Sequence, residues 1–262
     1  MKRILITGGP TNEAIDEVMT ITNMSTGSLS CDFAKAALDA GCEPTLVFHK
    51  SVVRSAKFVA CGLDNNEKVK VVPIDSCMDM YHALQDEAES GLKYDVVIHS
   101  AAVGDYRSDF SFRMEDMAAE IAEKLKASHA ALARNPERLK EIILETLTDP
   151  ECKINDDTKI SSYEPNLTVK LTLTTKIIAN LREWFPNALL VGSKLLENVE
   201  REYLYEVAAK LCRKNDMDII MANDLAELRE GKLYRYYCDK NGFTGVRLLQ
   251  EEMMDYAAEH WF

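Results

Sequence analysis

The sequence predicts an α/β chain: a Rossmann-like, doubly wound, mostly parallel sheet with a late antiparallel hairpin and an inserted flap region. Three observations carry this reading. Short apolar runs alternate with segments of helical period. Several of the runs, among them those at 95–100, 189–192 and 218–222, are continuous apolar strands, as where both faces are covered. Several of them end in small or polar residues, where ligands bind in such sheets.

Ile4-Leu5-Ile6-Thr7 is the first strand, ended by Gly8-Gly9. From Ser30, the residues Phe33, Ala36, Ala37 and Ala40 recur at helical spacing and stop at Gly41. Thr45-Leu46-Val47-Phe48 is the next strand, then Val69-Lys70-Val71-Val72, ended by Pro73. A helix is expected over 77–89. Asp95-Val96-Val97-Ile98-His99-Ser100 is a buried strand entering a small-residue turn. Leu189-Leu190-Val191-Gly192 and Asp218-Ile219-Ile220-Met221-Ala222 are two more. Residues 234–238 and 245–249 form a hairpin around Asn241-Gly242, and a helix over 249–260 follows. The chain reads as a single domain over 1–262 with an excursion at about 107–170. That excursion holds two charged helices, about 115–128 and 136–147, the second begun by Asn135-Pro136, and a polar linker from Asp149 to Asp157. It reads as a solvated surface excursion, an active-site flap or a dimer arm.

The 262 residues are 47% hydrophobic, enough for a large core, and carry a formal charge of −12. That charge argues against nucleic acid as a partner but not against a small anion held by local lysines and backbone N–H groups. No apolar run approaches the ~20 residues that cross a bilayer, and residues 1–7 have no signal-peptide pattern. The seven cysteines include no Cys-x-x-Cys pair. They read as reduced thiols of a cytoplasmic protein with no metal cluster.

The loops after Thr7, Ser100, Gly192 and Ala222 hold polar residues that a plain turn would not require, and 21–27 is a further long polar segment. Thr7-Gly8-Gly9-Pro10-Thr11 lets the backbone approach a ligand, yet Pro10 spoils a phosphate cradle and Gly-x-Gly-x-x-Gly is absent. In Asn23-Met24-Ser25-Thr26-Gly27, Asn23 offers a donor and an acceptor for a carboxylate or acyl oxygen, and Ser28 or Ser30 is a candidate helix cap. Ser100-Ala101-Ala102-Val103-Gly104-Asp105 makes space at a strand end, with Asp105 as an acceptor. Ala222-Asn223-Asp224 reads as a site edge or a cap. Lys210 and Lys214 share a helical face, where like charges repel unless an anion joins them. His99 reads as a hydrogen-bonded core histidine, and the histidines at 49, 82, 99, 129 and 260 have no metal-ligand spacing.

Taken in order, these loops resemble the phosphopantothenate–cysteine ligases (phosphopantothenoylcysteine synthetases), most of all the free-standing bacterial type. The resemblance runs over about 2–225. Its strongest blocks are 6–27, 100–106, Lys159-Ile160-Ser161-Ser162 and 210–224. It implies an amide bond formed between 4′-phosphopantothenate and cysteine through an acyl-nucleotide. CTP or ATP is the co-substrate, with Mg2+, in a homodimer. Asn23 falls on the asparagine that handles the intermediate and Lys159 on the lysine at the triphosphate. Gly8, Gly9, Ser25, Gly27, Ser100, Ala101, Asp105, Lys176, Ser193, Lys210 and Lys214 fall on nucleotide contacts. Asn23, Ala102 and Asp105 fall on substrate contacts.

The chain departs from that pattern at four residues and in the length of its 107–158 excursion, which is longer than the resemblance implies. Met19 stands where the family has an arginine that reaches phosphopantothenate across the dimer. Ser30 replaces a glycine, Ser193 a phenylalanine beside the base, and Thr175 a proline. These departures keep open a relative that binds a nucleotide or phosphorylated acid without this activity. A nicotinamide-dependent reductase is the third reading, and the missing dinucleotide fingerprint speaks against it.

Overall fold

The computed structural model describes residues 1–127, 136–154, 159–231 and 234–262. Ser128, His129, Asn135 and the linker positions 155–158 therefore lie outside the described residues. In chain order the first elements are β1 (Arg3–Gly8), β2 (Asn12–Ala14), β3 (Thr20–Thr22), α1 (Ser28–Asp39), β4 (Glu43–His49), α2 (Lys50–Val53), α3 (Ala56–Ala60), β5 (Lys70–Ile74), α4 (Cys77–Glu89) and β6 (Val96–His99). Then come β7 (Tyr106–Arg113), α5 (Met114–Ala127), α6 (Pro136–Thr148) and β8 (Leu167–Leu173). The chain closes with α7 (Leu181–Trp184), β9 (Leu189–Leu196), α8 (Arg201–Lys214), β10 (Ile219–Asp224), α9 (Leu225–Arg229), β11 (Arg235–Asp239), β12 (Gly242–Leu248) and α10 (Gln250–His260).

These elements form two compact units. The first comprises Met1–Asn12, Thr22–Gly104 and Thr175–Phe262. Its sheet runs β12-β11-β10-β9-β6-β1-β4-β5. The six strands from β10 to β5 are parallel, and β11 and β12 close one edge antiparallel. The expected doubly wound sheet and late hairpin are both present. Alternate strand residues serve opposite faces. Leu5, Val97, Leu190 and Ala222 pack with α4, α7 and α8. Ile4, Ile6, Ile98, Val191 and Met221 pack with α1, α3 and α10. The inner strands are apolar through their middles because both faces are covered, as in β1 and β6.

Local chemistry sets the element ends. Ser76 caps α4: its Oγ accepts from the Asp79 N–H at 3.1 Å, and the Asp79 carboxylate accepts from the Ser76 N–H at 2.9 Å. Pro73 does not end β5, as the sequence reading expected; the strand runs on to Ile74. β5 is an edge strand, where a missing N–H removes no ladder bond. Neither Ser28 nor Ser30 caps α1. Gly27 does so in the left-handed region at φ 68°, and both serines lie inside the helix.

The second unit comprises Glu13–Ile21 and Asp105–Thr174. Both charged helices of the excursion are present, as α5 and α6. A strand pair missing from the sequence reading brackets them in the chain: β7 and β8 are antiparallel. Phe110, Phe112 and Met117 form a small core there. Glu120 ties α5 to the chain after α6. Burial pushes its carboxyl up, but Lys124 and the N–H groups of Glu151 and Cys152 outweigh that and bring it to about 2.

Candidate functional site

The carboxyl ends of the parallel strands are the place to look. The turn after β1 is fastened along its length to the loop after β6. The Thr7 Oγ1 lies 2.9 Å from His99 Nδ1 and accepts from the Ala101 N–H at 3.2 Å. Ala102 N donates to the Gly9 carbonyl at 2.9 Å, and Gly104 N to Thr11 Oγ1 at 2.9 Å. The glycines have a packing reason of their own. A Cβ on Gly8 would stand 2.6 Å from the Ser30 Cβ and 2.8 Å from Phe48. Gly9 has φ 91°, and a Cβ there would strike Val52 at 2.6 Å and His49 at 2.9 Å. Sequence reasoning missed the support beneath Gly9: Asn12 Nδ2, His49 Nε2 and Lys50 Nζ converge on the Asp75 carboxylate at 2.9, 2.9 and 2.5 Å.

Asn23 is exposed, and its carboxamide has a fixed sense. Nδ2 donates to the carbonyls of Ala102 and Val103, both at 3.1 Å. An amide facing two carbonyls must present its NH2 group. Both donors are therefore engaged, and Oδ1 is the atom left for a ligand. The expectation of a donor to a carboxylate or acyl oxygen is corrected: Asn23 offers an acceptor, suited to an amine. Ser25 Oγ accepts from the Gly27 N–H at 3.4 Å at the start of α1. Ser100 Oγ donates to the Thr7 carbonyl and meets Ser30 Oγ, each at 2.9 Å.

Cross-strand register brings distant residues level. Thr7 pairs with His99 and His99 with Gly192. Gly8, Ser100 and Ser193 therefore follow at one level, on the α1 face. Lys176 precedes a short 3-10 turn. Its neighbour Thr175 accepts from Cys77 Sγ at the start of α4, which sets it at the same sheet edge. Lys210 and Lys214 are not brought to this edge. They lie on the last turn and a half of α8, which leads back to the amino end of β10. Asp224 acts as a cap and clamp: it accepts from the N–H groups of Val199, Asn198 and Ala226, which hold its carboxyl below the usual range. His99 is buried, and burial pushes it down to about 4. The spacing Tyr236-x-x-x-Lys240 is that of short-chain reductases. Here, however, Tyr236 OH donates to Glu227 and Lys240 pairs with Asp216, so the two serve different contacts.

The second unit has its own candidate site, a cavity of about 340 Å³ lined by Asp16, Val18, Met19, Lys159, Ser161, Ser162 and Glu164, among others. Asp16 builds it. Its Oδ1 accepts from the N–H groups of Met19 at 2.6 Å and Val18 at 2.7 Å, and its Oδ2 from the Ile160 N–H at 2.9 Å. These bonds, Met19 first, hold the Asp16 carboxyl below its usual range. Met19 and Lys159 thus share one cavity, a relation their separation in sequence hides. Asp105 is exposed in this unit, its carbonyl accepting from the Thr174 N–H at 3.1 Å.

Comparison with known proteins agrees with this architecture. A family model described as DNA/pantothenate metabolism flavoprotein C-terminal domain matches residues 1–149, more than half of the chain. The coenzyme A biosynthesis bifunctional protein CoaBC of Thermococcus kodakarensis is 31% identical over 224 residues, 86% of this chain. The chain spans only 41% of that relative's length. The crystal structure of the DNA/pantothenate metabolism flavoprotein from Streptococcus pneumoniae superposes with a TM-score of 0.74 at 29% identity, covering 99% of this chain and 97% of that one. The C-terminal domain of a bifunctional CoaBC protein shares the fold, with a TM-score of 0.61 at 23% identity over 98% of this chain and 92% of that one. By the family match and by the sheet it forms, the chain belongs to the DNA/pantothenate metabolism flavoprotein C-terminal domain family, in line with the resemblance read from its loops.

Proposed function

We propose that this chain is a phosphopantothenate–cysteine ligase of coenzyme A biosynthesis, acting as a cytoplasmic homodimer on small molecules. The carboxylate of 4′-phosphopantothenate attacks the α-phosphorus of CTP, in preference to ATP, and pyrophosphate leaves. Magnesium arrives with the triphosphate as part of that substrate. The cysteine amine then attacks the acyl carbon. Nucleotide monophosphate departs, the amine gives up a proton and the amide remains. The observation that carries this reading is Asn23: its donors are fixed and its acceptor is free, on a loop tied to 102–103, in a member of this family. Asn23 Oδ1 would accept from the amine of the incoming cysteine. Lys159 would offset the charge that gathers on departing pyrophosphate. Ser100, Ala101, Ser193 and the turn at Gly8-Gly9 would lie along the nucleotide, with Ser25, Gly27, Lys176, Ala102 and Asp105 at its borders. Lys210 and Lys214 have no part in this reading, because α8 carries them to the other edge of the sheet.

The test is pyrophosphate release with CTP or ATP, required to depend on phosphopantothenate, followed by nucleotide monophosphate release that depends on cysteine. Absence of both with either nucleotide rejects the reading. Asn23→Asp sets a carboxylate against two carbonyl oxygens and removes the neutral acceptor. Pyrophosphate release is expected to outrun monophosphate release, with acyl-nucleotide accumulating; equal rates contradict the role.

A second reading, binding without turnover, is favoured by Met19. The cavity that holds Lys159 also holds the carboxylates of Asp16 and Glu164, a poor setting for a phosphate. Met19→Arg is expected to tighten binding of phosphopantothenate by roughly ten- to a hundredfold, the worth of one charge-assisted bond of ~1.5–3 kcal/mol. Calorimetric titration of both forms measures it, and unchanged affinity contradicts it.

A further inference from the structure

A serine, a histidine and an aspartate stand in line at the carboxyl ends of β4 and β5. His49 ends β4 and pairs with Ile74, the last residue of β5, so Asp75 follows one step beyond. Ser51 lies in the first turn of α2 and is exposed, whereas His49 is buried. Ser51 Oγ is 2.7 Å from His49 Nδ1, and His49 Nε2 is 2.9 Å from Asp75 Oδ1.

The hydrogens of this line have a fixed sense. The Ser51 backbone N–H donates to the same Nδ1 at 3.1 Å, and a backbone N–H can only donate. Nδ1 therefore carries no hydrogen, and Nε2–H donates to the Asp75 carboxylate. Facing a bare acceptor, the Ser51 hydroxyl donates to Nδ1. Asp75 keeps its charge: burial pushes its carboxyl up, but Lys50, His49 and Asn12 outweigh that and hold it below the usual range. Hydroxyl to imidazole to carboxylate is the order that activates a serine, and it is recognised by roles rather than by sequence position. The ring is turned end for end relative to the usual triad, with the roles kept. A helix cap would need only the Ser51 N–H on Nδ1; the hydroxyl before the ring and the carboxylate behind it go further. Thr7 and His99 give the contrast. Their hydroxyl and ring meet at 2.9 Å, but both residues are buried, and no carboxylate faces that ring among the described residues.

The line also borders the loops of the candidate site. A Cβ on Gly27 would strike Val52 at 2.5 Å, as one on Gly9 would at 2.6 Å. The residue after Ser51 thus packs against both turns that the reading above sets along the nucleotide. We propose that Ser51 is an activated nucleophile that accepts acyl groups from mixed carboxylic–phosphoric anhydrides, with His49 as its base and Asp75 as a positioning residue. The class of acyl donor rests on the acyl-nucleotide put forward above. Ser51 Oγ forms a bond to the acyl carbon, and the bond from that carbon to the phosphate oxygen breaks. The hydroxyl proton passes to His49 Nδ1, where Asp75 stabilises the imidazolium, and then to the departing phosphate. The product is an ester on Ser51, so an acyl group that misses the cysteine amine is caught here.

The experiment treats the full chain with acetyl phosphate, a small mixed anhydride, and maps the acetyl group by peptide mass spectrometry over time. An acetyl ester on Ser51 is expected, removed by neutral hydroxylamine, which leaves lysine amides untouched. Ser51→Ala, a surface change, should lose that ester. His49→Asn keeps an acceptor for the Ser51 N–H, since asparagine caps helices, but removes the base. It should slow esterification at least about tenfold. Asp75→Asn should slow it as well, and Asp75→Glu should restore part of the rate. Circular dichroism checks that the variants fold. The absence of an ester on Ser51 in the unmodified chain, or an equal rate in His49→Asn, overturns the proposal. Acetyl phosphate requires neither nucleotide nor phosphopantothenate, so either result leaves the ligase reading standing. Esterified Ser51 in a chain that releases no pyrophosphate rejects the ligase reading and keeps the nucleophile.

Discussion

Asp16→Asn is expected to slow pyrophosphate release roughly ten- to a hundredfold, the scale of a misplaced catalytic group, and Lys159→Gln to slow it by a similar factor. The reason lies in the sense of an amide. Oδ1 of Asp16 serves the Val18 and Met19 N–H groups and Oδ2 serves the Ile160 N–H. Asparagine has one acceptor oxygen and one NH2 group. With the oxygen kept on the tight turn, the NH2 group faces another N–H at Ile160. The substitution therefore cuts the bond between the two segments while the turn survives, and Lys159 loses its fixed neighbour. Because Asp16 acts through Lys159, the double variant should be no slower than Lys159→Gln alone. Effects that multiply would show that Asp16 matters only to the fold of the unit. Full activity in Lys159→Gln would remove the lysine from the mechanism and leave the clamp intact. Asp16→Glu keeps two acceptors and is expected to restore part of the rate.

The second large effect is on stability. Burial holds His99 neutral down to about pH 4, whereas in the unfolded chain it takes a proton near its ordinary value of about 6.5. Between those values the unfolded state binds a proton that the folded state does not. The contribution is complete above pH 6.5 and is lost as pH falls toward 4, at about 1.4 kcal/mol per pH unit and about 3 kcal/mol in all. Urea unfolding at pH 7.5, 6 and 5 measures the slope. His99→Asn keeps a polar partner for Thr7 Oγ1 but has no proton to gain, so its curve should be flatter by that amount. Identical slopes would mean that His99 is protonated in the fold. The same residue joins β6 to the Thr7 turn, so acid should loosen the first loop of the site.

The parallel sheet was readable because both of its faces are covered. Residues such as Ile4, Leu5 and Ile6 are all buried, so no polar alternation masks them. The pair β7 and β8 escaped for the opposite reason. Tyr106, Arg107, Asp109 and Arg113 are exposed, and the apolar signal shrinks to Phe110 and Phe112. The opening turn was legible as glycine-rich, but the cause of its glycines was not. Gly8 and Gly9 answer to Ser30, Phe48, Val52 and His49, contacts made by other elements.

Within the candidate site, residue type was legible and orientation was not. Asn23 could be read as donor or acceptor, and only the carbonyls of Ala102 and Val103 fix which end is free. Lys210 and Lys214 share a helical face by spacing, yet the direction of α8 sends them to the amino edge. Met19 and Lys159 come to line one cavity through the carboxylate clamp of Asp16. The sequence by itself determined the strands, the helices and the loops that border a ligand, because apolar period and turn chemistry act over a few residues. The tertiary structure alone decided which polar atoms are spent and which remain open, because that depends on register and strand order between segments far apart in the chain.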